Sequence, residues 1–277
     1  MANSVKRSFG VALVALAPVY AASAQAPTIP TFERGPTPRL LVGDVPKDLR
    51  DKLKLDPFYQ KHLDLSGLPI LSSEKVSDNA LIEAEYLIRQ VLSNREDVLK
   101  EMVKNRVRFV VMAPTEMTTD VPEQRTMTPK EYWDKRARGL GGRITSCGEE
   151  NLLNLKGDRY RNENILIHEF SHAIHRFGLG SLDRKFDGRL RDTYTAAIDQ
   201  ALWKDTYAAT NREEYWAEGV QSYFDCNNPP NRGVHNDVNT REKLKNYDPR
   251  LFELIDDSFK KPAFRYVRYD KRNPPAK

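Results

Sequence analysis

Cysteine is scarce in this sequence: Cys147 and Cys226 are the only two among 277 residues. Neither stands in a CxxC or other ligand-like spacing, so a metal held by thiolates is not indicated. Histidine is scarce too, with five residues in all. No long block of like charges occurs. Basic and acidic residues are interspersed, and that pattern does not suggest a nucleic-acid partner. Long hydrophobic runs are missing as well. The longest, Phe9 to Tyr20, falls short of the ~20 residues a bilayer-spanning helix needs, so stable membrane insertion is not expected. No internal repeat is present, and no linker interrupts the chain after Pro38.

What is present begins with a patterned N-terminus. Lys6 and Arg7 precede the apolar run, and Ala22-Ser23-Ala24 supplies the small-x-small pattern that signal peptidase accepts. Residues 1–24 therefore read as a cleaved secretory signal, and the mature protein is expected to be secreted or periplasmic. Removing Met1 to Ala24 takes away Lys6 and Arg7 but no acid, so the formal charge falls from +5 to +3. A hydrophobic content of 39% supports a packed core rather than disorder. In an oxidising compartment Cys147 and Cys226 are expected to form one disulfide. Residues 25–44, with Pro27, Pro30, Pro36 and Pro38, read as an extended leader. Residues 45–277 read as a single domain.

Between Val45 and Lys104 the apolar spacing is helical, most clearly from Asp78 to Leu92, where Leu81, Ile82, Leu87, Ile88 and Val91 line one face. Arg106 to Ala113 reads as a buried strand, ended by Pro114. Thr128-Pro129-Lys130-Glu131 has the order of an N-cap, a first-turn proline and an N3 acid, predicting a short helix to about Arg138 that Gly139, Gly141 and Gly142 end. Strand-like stretches flank Cys147 and Gly148. A helix follows from about Asn162 to Phe177, stopped by Gly178, and another covers Leu190 to Trp203. Thr210-Asn211-Arg212-Glu213 reads as a capping box opening a helix to about Phe224. The fold class expected is α+β, one domain of two lobes.

The chemistry centres on His168-Glu169-Phe170-Ser171-His172, an HExxH motif within helical apolar spacing. Residues four apart on a helix share a face one turn apart, so both imidazoles reach one zinc ion at ~2.0–2.1 Å. Glu169 is turned ~100° from His168, where it flanks the metal and takes a proton from the water that the metal acidifies. The plain alternative is a helix that happens to carry two histidines. Three of the five histidines, His168, His172 and His175, fall within eight residues, and this favours the metal. His175 is read as a surface histidine or one standing behind the ligands. A catalytic zinc needs a third protein ligand and a position left for water. HExxHxxGxxH is absent, because His175 occupies the glycine position and Gly178 the last histidine position. The third ligand must lie farther along, where Glu214 and Glu218 stand four apart on one helix face.

These features resemble the gluzincin metallopeptidases, in which HExxH is completed by a glutamate on a later helix and followed four residues on by another acid. The closer likeness is to the lethal-factor-like branch, whose second helix reads Y-x-x-T-N-x-x-E-aromatic-aromatic-A-E. Tyr207, Thr210, Asn211, Glu214, Tyr215, Trp216, Ala217 and Glu218 match it. The resemblance covers roughly Ile165 to Tyr223 and implies a two-lobed zincin-like domain with a HExxH helix and a small sheet presenting an edge strand. It implies one zinc per chain, with Glu214 as third ligand, Glu218 as an acid bonded to a ligand histidine, and Tyr207 as hydroxyl donor to the oxyanion. His235 is the other candidate for that donor. Glu213 reads only as a first-turn acid suited to the helix dipole.

The function expected is that of a zinc-dependent endopeptidase acting on an extended peptide or protein substrate, with Glu169 as general base. Two alternatives stand beside it. Gly148-Glu149-Glu150-Asn151 is similar to the GxMEN segment of zinc aminopeptidases, one residue short and without methionine, which offers an acidic subsite at Glu149 or Glu150. A secreted binding protein with a structural zinc is the other, disfavoured because structural zinc needs no base and usually takes four protein ligands. Arg143 to Leu155 is the stretch expected to supply an edge strand for an extended peptide.

Overall fold

The structure, a computed structural model, describes residues 41–230 and 234–274. The signal assigned to residues 1–24 and all but the last four residues of the leader lie outside the described residues. Within those four, Gly43–Asp44 forms a short strand, β1, so the leader's end joins the sheet.

A six-stranded mixed sheet organises the fold. After β1 come β2 (Lys61–Leu65), β3 (Leu68–Ser72), β4 (Arg108–Met112), β5 (Gly139–Leu140) and β6 (Ile144–Gly148), in the spatial order β1-β2-β3-β4-β6-β5. Strands β2 and β3 form an antiparallel hairpin where helical spacing was expected. Its turn is Ser66-Gly67, both at positive φ, a backbone whose twist matches that of the flanking strands. The long helical pattern on either side masked this short period-2 stretch. The helices Asp78–Val91 and Glu96–Lys104 then carry the chain over to β4, parallel to β3, as a parallel crossover requires.

Alternation along the strands divides two apolar clusters. Ile70, Phe109, Val111 and Cys147 face the larger core, while Leu71, Val110 and Met112 face a smaller one with Tyr59 and Val121. The larger core runs without a break from the sheet to Leu251, Ile255 and Phe259 of the helix Pro249–Phe259. A division into two lobes is not marked in this larger core. Strand β6 lies inside the sheet between β4 and β5, so the edge next to it is the short β5 rather than Arg143 to Leu155.

Helix boundaries shift by local chemistry. The short helix after Thr128 spans Lys130–Arg136 with Pro129 outside it. The HExxH helix, Ile165–Ala173, begins at Asn164, whose side chain accepts the Ile167 N–H at 2.9 Å. Gly178 does not stop it. The chain continues as a π-turn over Ile174–Leu179, and a Cβ on Gly178 would come within 2.6 Å of Val98, so glycine serves close helix packing here. The helix expected from Leu190 runs over Phe186–Asp199.

Cys147 and Cys226 are free and buried, which replaces the expected disulfide. Each thiol turns to a carbonyl beside it, Cys147 to Gly148 at 3.5 Å and Cys226 to Gln221 at 3.4 Å, and burial raises both thiol pKa values. Unreduced native protein should show no thiol reactive toward a chromogenic disulfide reagent, and denatured unreduced protein should show both. A disulfide would give none in either state.

Candidate active site

The site forms where two helices cross. The first is Ile165–Ala173. Its start is secured by Asn151, whose Oδ1 accepts the Ile165 N–H at 2.8 Å while its Nδ2 donates to the Glu163 carbonyl at 3.0 Å. The second, Arg212–Tyr223, is capped by Asn211, which accepts the Glu214 N–H at 2.9 Å. The cap thus falls one residue later than the capping box predicted. Glu213 bonds Arg212 instead of closing that box.

The aromatic pair after Glu214 locks the helices together. The Trp216 indole donates to the Ser171 carbonyl at 3.0 Å, inside the HExxH turn, and the Tyr215 hydroxyl donates to Asp248 at 2.6 Å. Both rings are fully buried. Phe170, on the same helix as the histidines, packs edge-on against Phe109 of β4, a burial that stabilises by ~1.5–3 kcal/mol and ties the site to the sheet.

Opposite the histidines the chain passes through Gly139, Leu140 and Gly141. A Cβ on Gly141 would stand 2.6 Å from the His172 ring and 2.9 Å from the Glu169 carbonyl, and one on Gly139 would stand 3.0 Å from Glu169 Cγ. Only glycine permits that approach. The Gly141 N–H bonds the Glu169 carboxylate and orients it.

His168, Glu169 and His172 place one ligand atom each within 4.8 Å of one another. Glu214 Oε2 lies 3.1 Å from His168 Nε2 and 3.7 Å from His172 Nε2. Two ligand atoms on one tetrahedral zinc at 2.0–2.1 Å are roughly 3.3 Å apart, and the distances from Glu214 to each imidazole bracket that value. Glu169, whose carboxylate accepts the Gly141 N–H, brings a further oxygen to the same group.

Behind His168 the structure adds residues that the sequence pattern did not single out. His168 Nδ1 bonds Gln221 Oε1 at 2.8 Å, whereas Glu218 Oε1 lies 3.7 Å away. Gln221 Nε2 donates to Glu163 Oε2 at 3.3 Å and to the Asn164 carbonyl at 3.2 Å, which fixes the amide with its oxygen toward the imidazole. In that tautomer Nε2 is free to bind a metal. Glu214, Glu218 and Gln221 stand at i, i+4 and i+7 of one helix, a spacing in which Gln221 was legible. Glu218 is instead held by His235 Nδ1 at 3.2 Å and Asn227 at 2.9 Å.

Tyr207 stacks beside His168 with ring centroids 6.3 Å apart, and its backbone N–H donates to the Val234 carbonyl, bringing His235 into the same cleft. That cleft, about 200 Å³, is lined by His168, Glu169, Tyr207, Glu218, His235 and Arg136 among others. Glu149 and Glu150 do not line it. Glu150 pairs with Arg138 at 2.6 Å and Glu149 accepts the Ser77 N–H at 3.2 Å, so the acidic aminopeptidase subsite expected there is absent. His175 lies in neither expected place. It is buried against Phe186 and Trp216, with Nε2 3.2 Å from Asp187.

Four carboxylates converge on this small volume. Burial disfavours a charged His168, but the hydrogen bond to Glu214 and the charges of Glu169 and Glu218 outweigh it and push the imidazole up to about 10. Burial and the His168 charge take His172 down to about 3. Burial raises Glu169 to about 7, moderated by His168. Glu214 falls below the usual carboxylate range because its bond to His168 overcomes burial. Burial and the Glu214 charge raise Tyr207 to about 12, keeping the phenol a donor. For His235, burial is outweighed by its bond to Glu218, and its pKa rises. The carboxylates favour a cation between the imidazoles.

No protein-family model and no curated protein matches the sequence. Among solved structures the chain is similar to the Pro-Pro endopeptidase PPEP-2 from Paenibacillus alvei. The identity is 18%, over 68% of this chain and 95% of that chain, with a TM-score of 0.44. A likeness of that degree bears no weight beside the site's own geometry.

Gly141→Ala should lower stability by ~1–3 kcal/mol through the forced contact with His172, read as an earlier urea midpoint. Gly43→Ala, where a Cβ meets nothing within 4 Å, should stay within ~0.5 kcal/mol of wild type.

Proposed function

We propose that this chain is an exported zinc-dependent peptidase of the gluzincin arrangement, nearest to its lethal-factor-like branch. The observation that carries the reading is that Glu214 Oε2 stands 3.1 Å from His168 Nε2 and 3.7 Å from His172 Nε2, while His168, Glu169 and His172 place one ligand atom each within 4.8 Å of one another. The patterned N-terminus of the sequence supports export.

His168, His172 and Glu214 hold the metal. Zinc so held supplies Lewis acidity, which makes water a nucleophile near neutral pH. Glu169, raised to about 7, accepts a proton from water as the water oxygen adds to the scissile carbonyl carbon. Tyr207, protonated at all ordinary pH, donates its hydroxyl proton in a hydrogen bond to the oxygen that gains charge. When the C–N bond breaks, the Glu169 carboxyl returns the proton to the departing amine. Gln221, steadied by Glu163, keeps His168 in its metal-binding tautomer, and Glu218 keeps His235 at the cleft.

Purified protein should contain about one zinc per chain, and chelation should abolish cleavage of a peptide library that zinc then restores. Glu169→Gln should retain zinc and lose ~10²–10⁴-fold in turnover. A fully zinc-loaded wild type that cuts no peptide, or an equally active Glu169→Gln, rules the reading out.

Metal titration tests the support behind His168. Gln221→Ala should weaken zinc binding by ~10–100-fold and Glu218→Ala by less, because Gln221 makes the direct bond. A larger loss from Glu218→Ala would return the orienting role to that residue.

A further inference from the structure

One wall of the cleft carries charge that the catalytic scheme leaves unused. Arg136, the last residue of the helix Lys130–Arg136, is exposed and stands with a guanidinium nitrogen 3.4 Å from the Tyr207 hydroxyl. It has no carboxylate partner among the described residues, and neither do Lys135, Lys156 and Arg159. Two hydrogen bonds tie the segment that carries Arg159 to the end of this helix. Arg159 donates to the Lys135 carbonyl at 2.5 Å, and the Tyr160 hydroxyl donates to the Arg136 carbonyl at 2.5 Å.

They also share a path. Arg138 borders both the catalytic cleft and a second open cavity of about 600 Å³, which Lys135, Lys156 and Arg159 line as well. Arg138 itself is neutralised by Glu150. Of the acids at that second cavity, Asp134 is taken up by Lys130 and Thr119, and only Glu131 remains to offset the basic residues. The acids of the catalytic floor are engaged with His168, His235, Gln221 and Asn228. The cleft is thus acidic where the metal binds and basic along the wall leading away from Tyr207.

We propose that this wall is a carboxylate subsite, with Arg136 as its principal residue, and that the substrate is a peptide carrying a carboxylate close to the scissile bond. The carboxylate is an Asp or Glu side chain or the chain's own C-terminus, since a guanidinium fork engages either in the same way. The proposal rests on the peptidase reading for its setting and on the unpaired charges for its content. Arg136 is a specificity residue here: it acts on which peptide is held, while Glu169 and Tyr207 act on the bond.

The test uses zinc-loaded protein and a mixed peptide library, half of it amidated at the C-terminus, with cut sites read by mass spectrometry. Asp or Glu within ~2 residues of the cut should be enriched by about 10-fold, as a charge-assisted pair in a partly covered site warrants. Enrichment confined to cuts near free C-termini and lost in the amidated half would identify the terminal carboxylate as the group held. Arg136→Glu should turn the preference toward Lys and Arg, and Lys100→Gln, on the helix Glu96–Lys104, should leave it unchanged. Binding supplies a readout independent of turnover: Glu169→Gln protein should bind a fluorescein-labelled pool with a fixed Glu about 10-fold more tightly than pools with a fixed Gln or Lys. Cutting indifferent to acids, together with equal binding of the three pools, overturns the subsite. Tight binding of the Glu pool with no cutting by wild type supports the subsite and overturns the peptidase reading.

Discussion

His168 is the point at which the two helices of the site depend on each other. Its Nδ1 is bonded to Gln221 and its Nε2 faces Glu214, seven residues apart on the same neighbouring helix. A side chain gripped at both ring nitrogens has one orientation, and that orientation holds only while the helices keep their crossing. The Trp216 bond to the Ser171 carbonyl maintains the crossing, and the Gly141 approach closes the other side. Rigid support of this kind is what a metal or catalytic constellation needs, since small displacements of a ligand cost affinity and rate.

The same grip has an electrostatic cost. Glu163, Glu169, Glu214 and Glu218 are gathered around two imidazoles, and carboxylates brought so close repel one another. The fold offsets this with specific partners: Asn228 and Gln221 for Glu163, Gly141 for Glu169, His168 for Glu214, and Asn227 with His235 for Glu218. Burial still leaves Glu163 and Glu169 above the usual carboxylate range, Glu169 at about 7. A general base works best with a pKa close to the pH at which it operates, so a carboxyl near 7 suits the role proposed for Glu169.

Charge also separates along the cleft. The floor is acidic and engaged, while the wall formed by Lys135, Arg136 and Arg159 carries cations without a carboxylate partner among the described residues, Arg159 bonding the Lys135 carbonyl and Arg136 the Tyr207 hydroxyl. The sheet makes this possible indirectly. Strand β5 ends the sheet beside the HExxH helix, so the segment from Arg136 to Gly141 passes from the basic wall directly to Glu169.

The local code of the site was legible in the chain. HExxH spacing puts His168 and His172 on one face by helix geometry alone, and the Glu214–Glu218 spacing does the same on the second helix. The helix Asp78–Val91 and the strand Arg108–Met112 also followed from apolar period. What local pattern could not determine was pairing across the chain. Gln221 and Glu218 both face His168, and only the packed geometry makes Gln221 the nearer partner. Cys147 and Cys226 are ordinary candidates for a disulfide by composition, yet each thiol turns to its own neighbouring carbonyl. Glu149 and Glu150 look like a subsite until Ser77 and Arg138 occupy them. Periodicity along a helix or strand is a property of consecutive residues and can be read from them. Which of several suitable groups a side chain meets depends on how distant segments pack, and that was decided by the tertiary structure.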